Sequence, residues 1–238
     1  MSGHSKWANI KHRKAAQDSK RGAKFTKLSK EITVAAKVGG SDAGSNPRLR
    51  TLLEKARNLN MPKDNVDRAI KKGTGELPGV NYEAITYEGY GPYGIAIIVE
   101  TLTDNKNRTV ADLRHLFSKH GGSLGESGSV GWMFEKKGVI RAASNEVSED
   151  ALLEKLIDFD VEDIKYSDNY FCIHTDPKSV DAVKKAVESS GLKIDSADLE
   201  LIPKTMSDLQ GESEEKAIEF LQVLEDFDDV QNVYTNLA

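Results

Sequence analysis

With 238 residues, 38% hydrophobic and 30% charged, the chain has the length for two or three small domains and enough apolar character to exclude disorder throughout. A lone cysteine, Cys172, excludes an internal disulfide, and no apolar run approaches the ~18 residues that span a bilayer. The formal charge of -5 conceals an asymmetry: residues 1–73 hold 18 Lys and Arg against 6 Asp and Glu, whereas the remainder holds 15 against 32, which points to an anionic partner for the first segment. The opening MSGHSKWANIKHRK lacks the hydrophobic stretch of a signal peptide, so a cytoplasmic protein is expected.

The acid-poor arm sets Lys6, Lys11, Arg13 and Lys14 among Trp7, His4 and His12. Cations there supply attraction to phosphates, and an aromatic ring can stack on an unpaired base for about 1 to 3 kcal/mol. The competing reading is that Trp7 and Ile10 only dock the arm onto a helical bundle. After Ser19-Lys20-Arg21-Gly22, helical spacing places Phe25, Leu28, Ile32, Ala35 and Ala36 inward until Gly39-Gly40. Lys20, Lys27, Lys30 and Lys37 fall on the other side, and Lys20, Arg21, Lys27 and Lys30 are candidate phosphate contacts. A second helix opens at Asn46-Pro47, a cap residue followed by proline at the first helical position, and buries Leu49, Leu52, Leu53, Ala56 and Leu59 between Arg48, Arg50, Lys55 and Arg57. A third begins at Met61-Pro62, packs Val66, Ala69 and Ile70, and is expected to stop at Gly73. Lys71 and Lys72 suit phosphates, while Asn65 and Arg68 could read base edges were the helix pair a helix-turn-helix; short connections in bundles make that signal weak.

The stretch TGELPGV reads as a linker. Strands are expected at 82–87 and 95–102 around the turn EGYGPYG, then a helix over 107–120 with Val110, Leu113, Leu116 and Phe117 inward. At the junction between them, DNKNRT, free backbone N–H groups with Lys106 and Arg108 make a second candidate anion site; capping by Asp104 or Asn105 is the alternative. The run Gly121-Gly122-Ser123-Leu124-Gly125-Glu126-Ser127-Gly128 follows a helix and precedes a strand, the reverse of a dinucleotide fingerprint, and reads as a flexible turn. A strand is expected at 131–134.

From 139 to 202 the order strand, helix, strand, strand, helix, strand is the split β-α-β pattern of ferredoxin-like folds. Cys172, inside the apolar run Tyr170–Ile173, reads as core. The C-terminal helix, with Ala217, Ile218, Leu221 and Leu224 inward, and a strand at 230–234 cannot bury themselves alone, so they are expected to return to the sheet begun at Tyr82. The expected fold class is α+β: an N-terminal helical bundle (1–78), a discontinuous α/β domain (79–136 plus 204–238) and an inserted ferredoxin-like α/β domain (137–203). The five histidines show no metal spacing and no nucleophile has an evident base, so neither metal, cofactor nor catalytic residue is expected. The acidic runs Glu212–Glu219 and Glu225–Asp229 read as a solvated face that deters nonspecific nucleic-acid binding or meets a basic protein.

The segments GHSKWANIKHRKAAQDSKRGAKFTKL, NPRLR, NMPKDNVDRAIKKG, YEGYGPYG, DNKNRTVADLRHLFSKHGGSLGESGSV and LEDFDDVQNVYTN resemble, in this order and almost from end to end, the YebC/PmpR family of bacteria and its mitochondrial translational-activator relatives. The family pattern often has glycine where this chain has Tyr93. The resemblance implies three domains, no cofactor and no catalytic centre. It implies one of two roles: a DNA-binding protein of transcription regulation, or an RNA-binding factor that associates with the ribosome and helps translation through difficult sequences. Both need a basic nucleic-acid surface.

Overall fold

The computed structural model describes Trp7 and residues 21–144, 147–167 and 169–238. These divide into two compact units, 1–132 with 205–238 and, inserted between them, 133–204. The Gly- and Pro-rich stretch after residue 73 lies within the first unit, which holds both the helical segment and the first sheet.

Three helices open the first unit: α1 (Arg21–Gly39), α2 (Pro47–Asn58) and α3 (Lys63–Thr74). Leu28, Ile32 and Ala35 of α1, Leu49, Leu52 and Ala56 of α2, and Met61 and Ala69 form their shared core. The α1–α2 corner hangs on the buried Asn46, whose Oδ1 accepts from Leu49 N at 3.0 Å while Nδ2 donates to the carbonyls of Ala35 and Gly40, both at 2.9 Å. One side chain thereby caps the start of α2 and satisfies the end of α1. The third helix does not stop at Gly73. It continues to Thr74 and is closed by Gly75 in the left-handed conformation, φ 82°. Gly73 serves a different purpose: a Cβ there would meet Ala36 Cβ at 2.8 Å and the Thr33 carbonyl oxygen closer still, so α1 and α3 cross backbone to backbone.

The first sheet contains β1 (Glu83–Tyr90), β2 (Ala96–Thr103), β3 (Ser123–Leu124) and β8 (Val230–Thr235) in the order β3-β1-β2-β8, every neighbour antiparallel. The helices α4 (Lys106–Lys119) and α7 (Glu212–Asp226) cover it. Ile97 and Val99 of β2, Leu113 and Phe117 of α4, Phe220, Leu221 and Leu224 of α7, and Val233 are buried together. Phe117 and Phe220 meet edge to face with ring centroids 5.0 Å apart. The chain's last strand thus completes a sheet begun some 140 residues earlier, and Ala96 N donates to Asn236 Oδ1 at 2.8 Å across that gap.

The inserted unit contains β4 (Phe134–Ala143), α5 (Glu149–Leu156), β5 (Val161–Ser167), β6 (Tyr170–Thr175), α6 (Val180–Ser189) and β7 (Lys193–Pro203). Its antiparallel sheet runs β5-β6-β4-β7, the ferredoxin-like order, with Leu152, Leu156, Val183 and Val187 of the helices packed on Ile140, Ala142, Phe171 and Ile173. The strand expected at 131–134 differs: Gly131–Met133 is a single 3-10 turn, and Phe134 opens a ten-residue strand. That strand outruns its short apolar stretch because β7 pairs with it from Phe134↔Pro203 to Ala143↔Lys193.

The crossing at Gly73 yields a paired prediction. Gly73→Ala forces the helices apart and is expected to destabilise the protein by about 1 to 3 kcal/mol. Gly22→Ala, in the same bundle with nothing within 4 Å of the added methyl, is expected to stabilise by up to about 1 kcal/mol through helix propensity. Urea midpoints check both, and equal effects would refute the close-approach account.

Candidate nucleic-acid interface

Apart from Lys37 at the end of α1, which donates to Asn81 Oδ1 at 2.8 Å, the exposed cations of the described segment belong to α2 and α3. Arg48, Arg50, Arg57, Arg68, Lys71 and Lys72 are all exposed, and none forms an ion pair among the described residues. Arg50 reaches only the Ala43 carbonyl at 3.4 Å. Arg68 and Lys72, one helical turn apart on α3, line a cleft of about 390 Å³ against Gly22, Thr26 and Ser29 of α1, with Asn65 beside them. Two like charges at this spacing repel, and Asp64 and Asp67 of the same helix pair with neither. A phosphate between them would relieve that repulsion and find hydroxyl and amide donors along the cleft wall.

Other candidates face inward. The Trp7 ring is 3% exposed, packs with the core of the first sheet, and donates from Nε1 to Val233 O at 3.2 Å. It therefore has no face for a base, and it docks on the sheet rather than on the bundle. Lys30 is buried as well, with Nζ 2.8 Å from Asp229 Oδ1, 2.9 Å from Asp228 O and 5.7 Å from the Tyr82 ring centroid. Lys27 is half-buried and donates to Glu225 O. These lysines bind the acidic C-terminal segment of their own chain. Lys6, Lys11, His12, Arg13, Lys14 and Lys20 lie outside the described residues, as does the side chain of Arg21.

At the second candidate anion site the anion is Asp229. Its carboxylate accepts from Arg108 Nη2 at 3.1 Å, Thr109 Oγ1 at 2.8 Å, Thr103 Oγ1 at 3.2 Å and Lys30 Nζ. Arg108 also holds Asp104 at 2.7 Å. Of the two capping alternatives it is Asn105 that caps α4, accepting from Arg108 N at 3.1 Å. Burial by itself would push the Asp229 carboxyl up, but the donors Lys30, Thr109 and Arg108 outweigh it and hold the group at about 2. Lys106 is exposed and forms no ion pair among the described residues.

The glycine-rich turn is likewise occupied from within. Glu88 on β1 accepts from Gly128 N at 2.8 Å, Val130 N at 2.8 Å and Gly131 N at 2.6 Å. Amides at and just after the end of the run that could cradle a phosphate thus hold a carboxylate. Tyr93, in place of the family's frequent glycine, adopts φ 59°, a left-handed conformation that glycine enters without strain. In the inserted unit Cys172 Sγ lies 3.6 Å from His174 Nε2. Burial pushes the thiol to about 11 and holds the imidazole below its ordinary value, so the pair is unsuited to nucleophilic work at neutral pH. Among the described residues no three His, Cys, Asp or Glu side chains gather to hold a metal, and no helix is long and apolar enough to cross a membrane. Sequence reading missed Asp229 and Glu88, which looked like members of a solvated face and of the turn EGYGPYG; nothing local marks a carboxylate whose donors are distant in the chain.

Two family models match: the TACO1/YebC protein N-terminal domain over residues 5–76 and the TACO1/YebC second and third domain over residues 82–237. A probable transcriptional regulatory protein of Chlorobaculum tepidum is 57% identical over 238 residues, covering 100% of this chain and 95% of the relative. One of the same description from Desulforapulum autotrophicum is 56% identical over 236 residues, covering 99% and 96%. The crystal structure of a conserved hypothetical protein of Aquifex aeolicus superposes with a TM-score of 0.84 at 44% identity, covering 93% of this chain and 91% of that one.

The depressed Asp229 carboxyl makes stability pH-dependent. A folded-state value of about 2 against the ordinary 3.8 means a contribution on the order of 2 kcal/mol that is complete above about pH 5 and lost as pH falls toward 2. Asp229→Asn should remove it and strand Lys30. The stability gap between wild type and variant, measured by urea unfolding, is expected to shrink by roughly 1 kcal/mol between neutral pH and about pH 3. A gap constant over that range would contradict the assignment.

Proposed function

The chain belongs to the TACO1/YebC family, and on that premise we propose that it is a non-enzymatic, cytoplasmic nucleic-acid-binding regulator of gene expression. The relatives' description as probable transcriptional regulatory proteins supports the regulatory part of this reading. The observation that carries the binding part is the set of exposed cations on α2 and α3 that no carboxylate neutralises among the described residues, whereas Lys30 and Arg108 of the same unit are paired internally. Arg68 and Lys72 in their cleft form the centre of the interface, with Arg48, Arg50, Arg57 and Lys71 as further phosphate contacts. The cations of the arm, Lys6, Lys11, Arg13 and Lys14, and Lys20 and Arg21 extend the same basic run in sequence. Lysine and arginine aimed at phosphates give affinity without sequence discrimination, so the proposal is for backbone binding, not groove reading.

If about five phosphates are neutralised, affinity for duplex DNA should fall with salt on a log-log slope of about -4 to -5. Arg68→Ala with Lys72→Ala is expected to weaken binding and to flatten the slope by roughly 0.9 per lost contact. Lys30→Met is expected to lower the melting temperature instead, because it strands the buried Asp229. Fluorescence anisotropy on duplex DNA and on structured RNA, at several salt concentrations, makes the measurement. Unchanged affinity in the Arg68, Lys72 double variant would sink the proposed interface. A loss confined to structured RNA would favour the ribosome-associated translation factor over the transcriptional regulator.

A further inference from the structure

The inserted unit offers a surface of opposite character. Helix α5 turns Leu152 and Leu156 into its core, yet Leu153 is 48% exposed, Ile157 79% and Phe159 37%. Single exposed apolar side chains are ordinary, whereas three large ones within seven residues form a patch. They line a groove of about 600 Å³ whose floor includes Val161 and Ile164 of the edge strand β5.

The rim is acidic. Residues 149–163 hold seven Asp and Glu and a single cation, Lys155. Some of these carboxylates are committed: Glu162 to Lys137, Asp163 to Lys165, and Asp160 to the Ser179 hydroxyl at 2.8 Å. Asp150 and Glu154, which line the groove, and Glu149 and Asp158 beside it form no ion pair among the described residues.

We propose that this groove docks a basic amphipathic segment of a partner protein, with apolar side chains seated against Leu153, Ile157 and Phe159 and Lys or Arg side chains over Asp150 and Glu154. Charge selects this occupant. A nucleic-acid backbone would meet uncompensated carboxylates. A second copy docked by two-fold symmetry would set the same acidic rim against itself. Addition of a strand at β5 is opposed by Glu162, Asp163 and Lys165 along that edge, which leaves a helix lying in the groove as the fitting mode. The inference concerns residues separate from the phosphate-binding helices and stands without that reading.

The test uses the full chain and a fluorescent synthetic Leu/Lys amphipathic helix of about 15 residues, with a Leu/Glu helix of equal length as control. The Leu/Lys probe is expected to bind at physiological salt and to slow hydrogen exchange over residues 150–164, and the Leu/Glu probe to do neither. Leu153→Ser with Ile157→Ser should weaken binding at least about tenfold. Asp150→Asn with Glu154→Gln should weaken it and reduce its salt dependence, with no apolar change that could perturb folding. Glu215→Gln with Glu219→Gln, on exposed carboxylates of α7, should leave affinity unchanged. Binding that ignores the groove substitutions, or that responds equally to those on α7, would reduce the effect to net charge and overturn the proposal. Concentration-dependent dimerisation abolished by Ile157→Ser would assign the groove to a second copy, and protection of 150–164 by DNA or RNA would assign it to nucleic acid; either result overturns it too.

Discussion

A buried carboxylate must be given donors or be neutralised, and Asp229 is given donors from three separated stretches of chain. Lys30 comes from α1, Arg108 and Thr109 from α4, and Thr103 from the end of β2. Asp229 itself sits immediately before β8, and its carbonyl accepts from Leu102 N at 2.8 Å. The constraint is reciprocal, since Lys30 can be buried only where a carboxylate awaits it. That single requirement sets α1 against the strand-to-helix junction of the sheet and against the start of the last strand. Trp7, hydrogen-bonded to the Val233 carbonyl within β8, repeats the attachment with an aromatic anchor. The helices that carry the free cations are positioned relative to the sheet because this cluster is satisfied.

The same logic sorts the positive charges. A cation that meets a carboxylate of its own chain cannot also neutralise an external phosphate without losing that partner, and Lys30 and Arg108 are in that position. Glu88 applies the principle to backbone donors, filling the last amide of the glycine-rich run and two just beyond it. Acidic residues of the α/β framework thereby remove the attractive anion sites from the framework itself. What remains available is concentrated on α2 and α3, where repulsion between Arg68 and Lys72 is left unrelieved. The net charge of a segment is therefore a poor guide to its binding surface, and the list of internally paired residues is a better one.

Local order was legible in the sequence and distant order was not. Asn46-Pro47 announces a helix start through the chemistry of two adjacent residues, and both behave as read. Alternation along 139–202 shows a ferredoxin-like unit because each element carries its own periodicity. The inability of a lone helix and strand to bury themselves is also a sequence-level argument, and β8 pairs with β2. Gly73 deceived because glycine closes helices and also permits helix crossing, and only the position of α1 separates the two uses. Lys30 was read as a surface cation because its partner lies 199 residues away. Trp7 was ambiguous for the same reason, at a separation of 226 residues. For the candidate interface, composition located the segment, but only the fold could subtract the cations that the chain keeps for itself.

The acidic half then acquires a physical role beyond solubility. Exposed carboxylates that form no ion pair among the described residues, such as Asp150 and Glu154, would repel phosphate within a Debye length of about 8 Å and so favour the helical face for the nucleic acid proposed above. Repulsion of phosphate and attraction of basic protein segments are the same field acting on opposite charges. Proteins that themselves sit on nucleic acid are rich in such segments, since they too must neutralise phosphates. A chain with one phosphate-binding face and one groove for a basic segment would meet both components of a single assembly. The second contact would then form at the effective concentration set by the first, so that two individually weak interactions suffice for stable residence. Salt weakens each contact separately, and their product more steeply than either, which makes occupancy responsive to ionic conditions without any conformational switch.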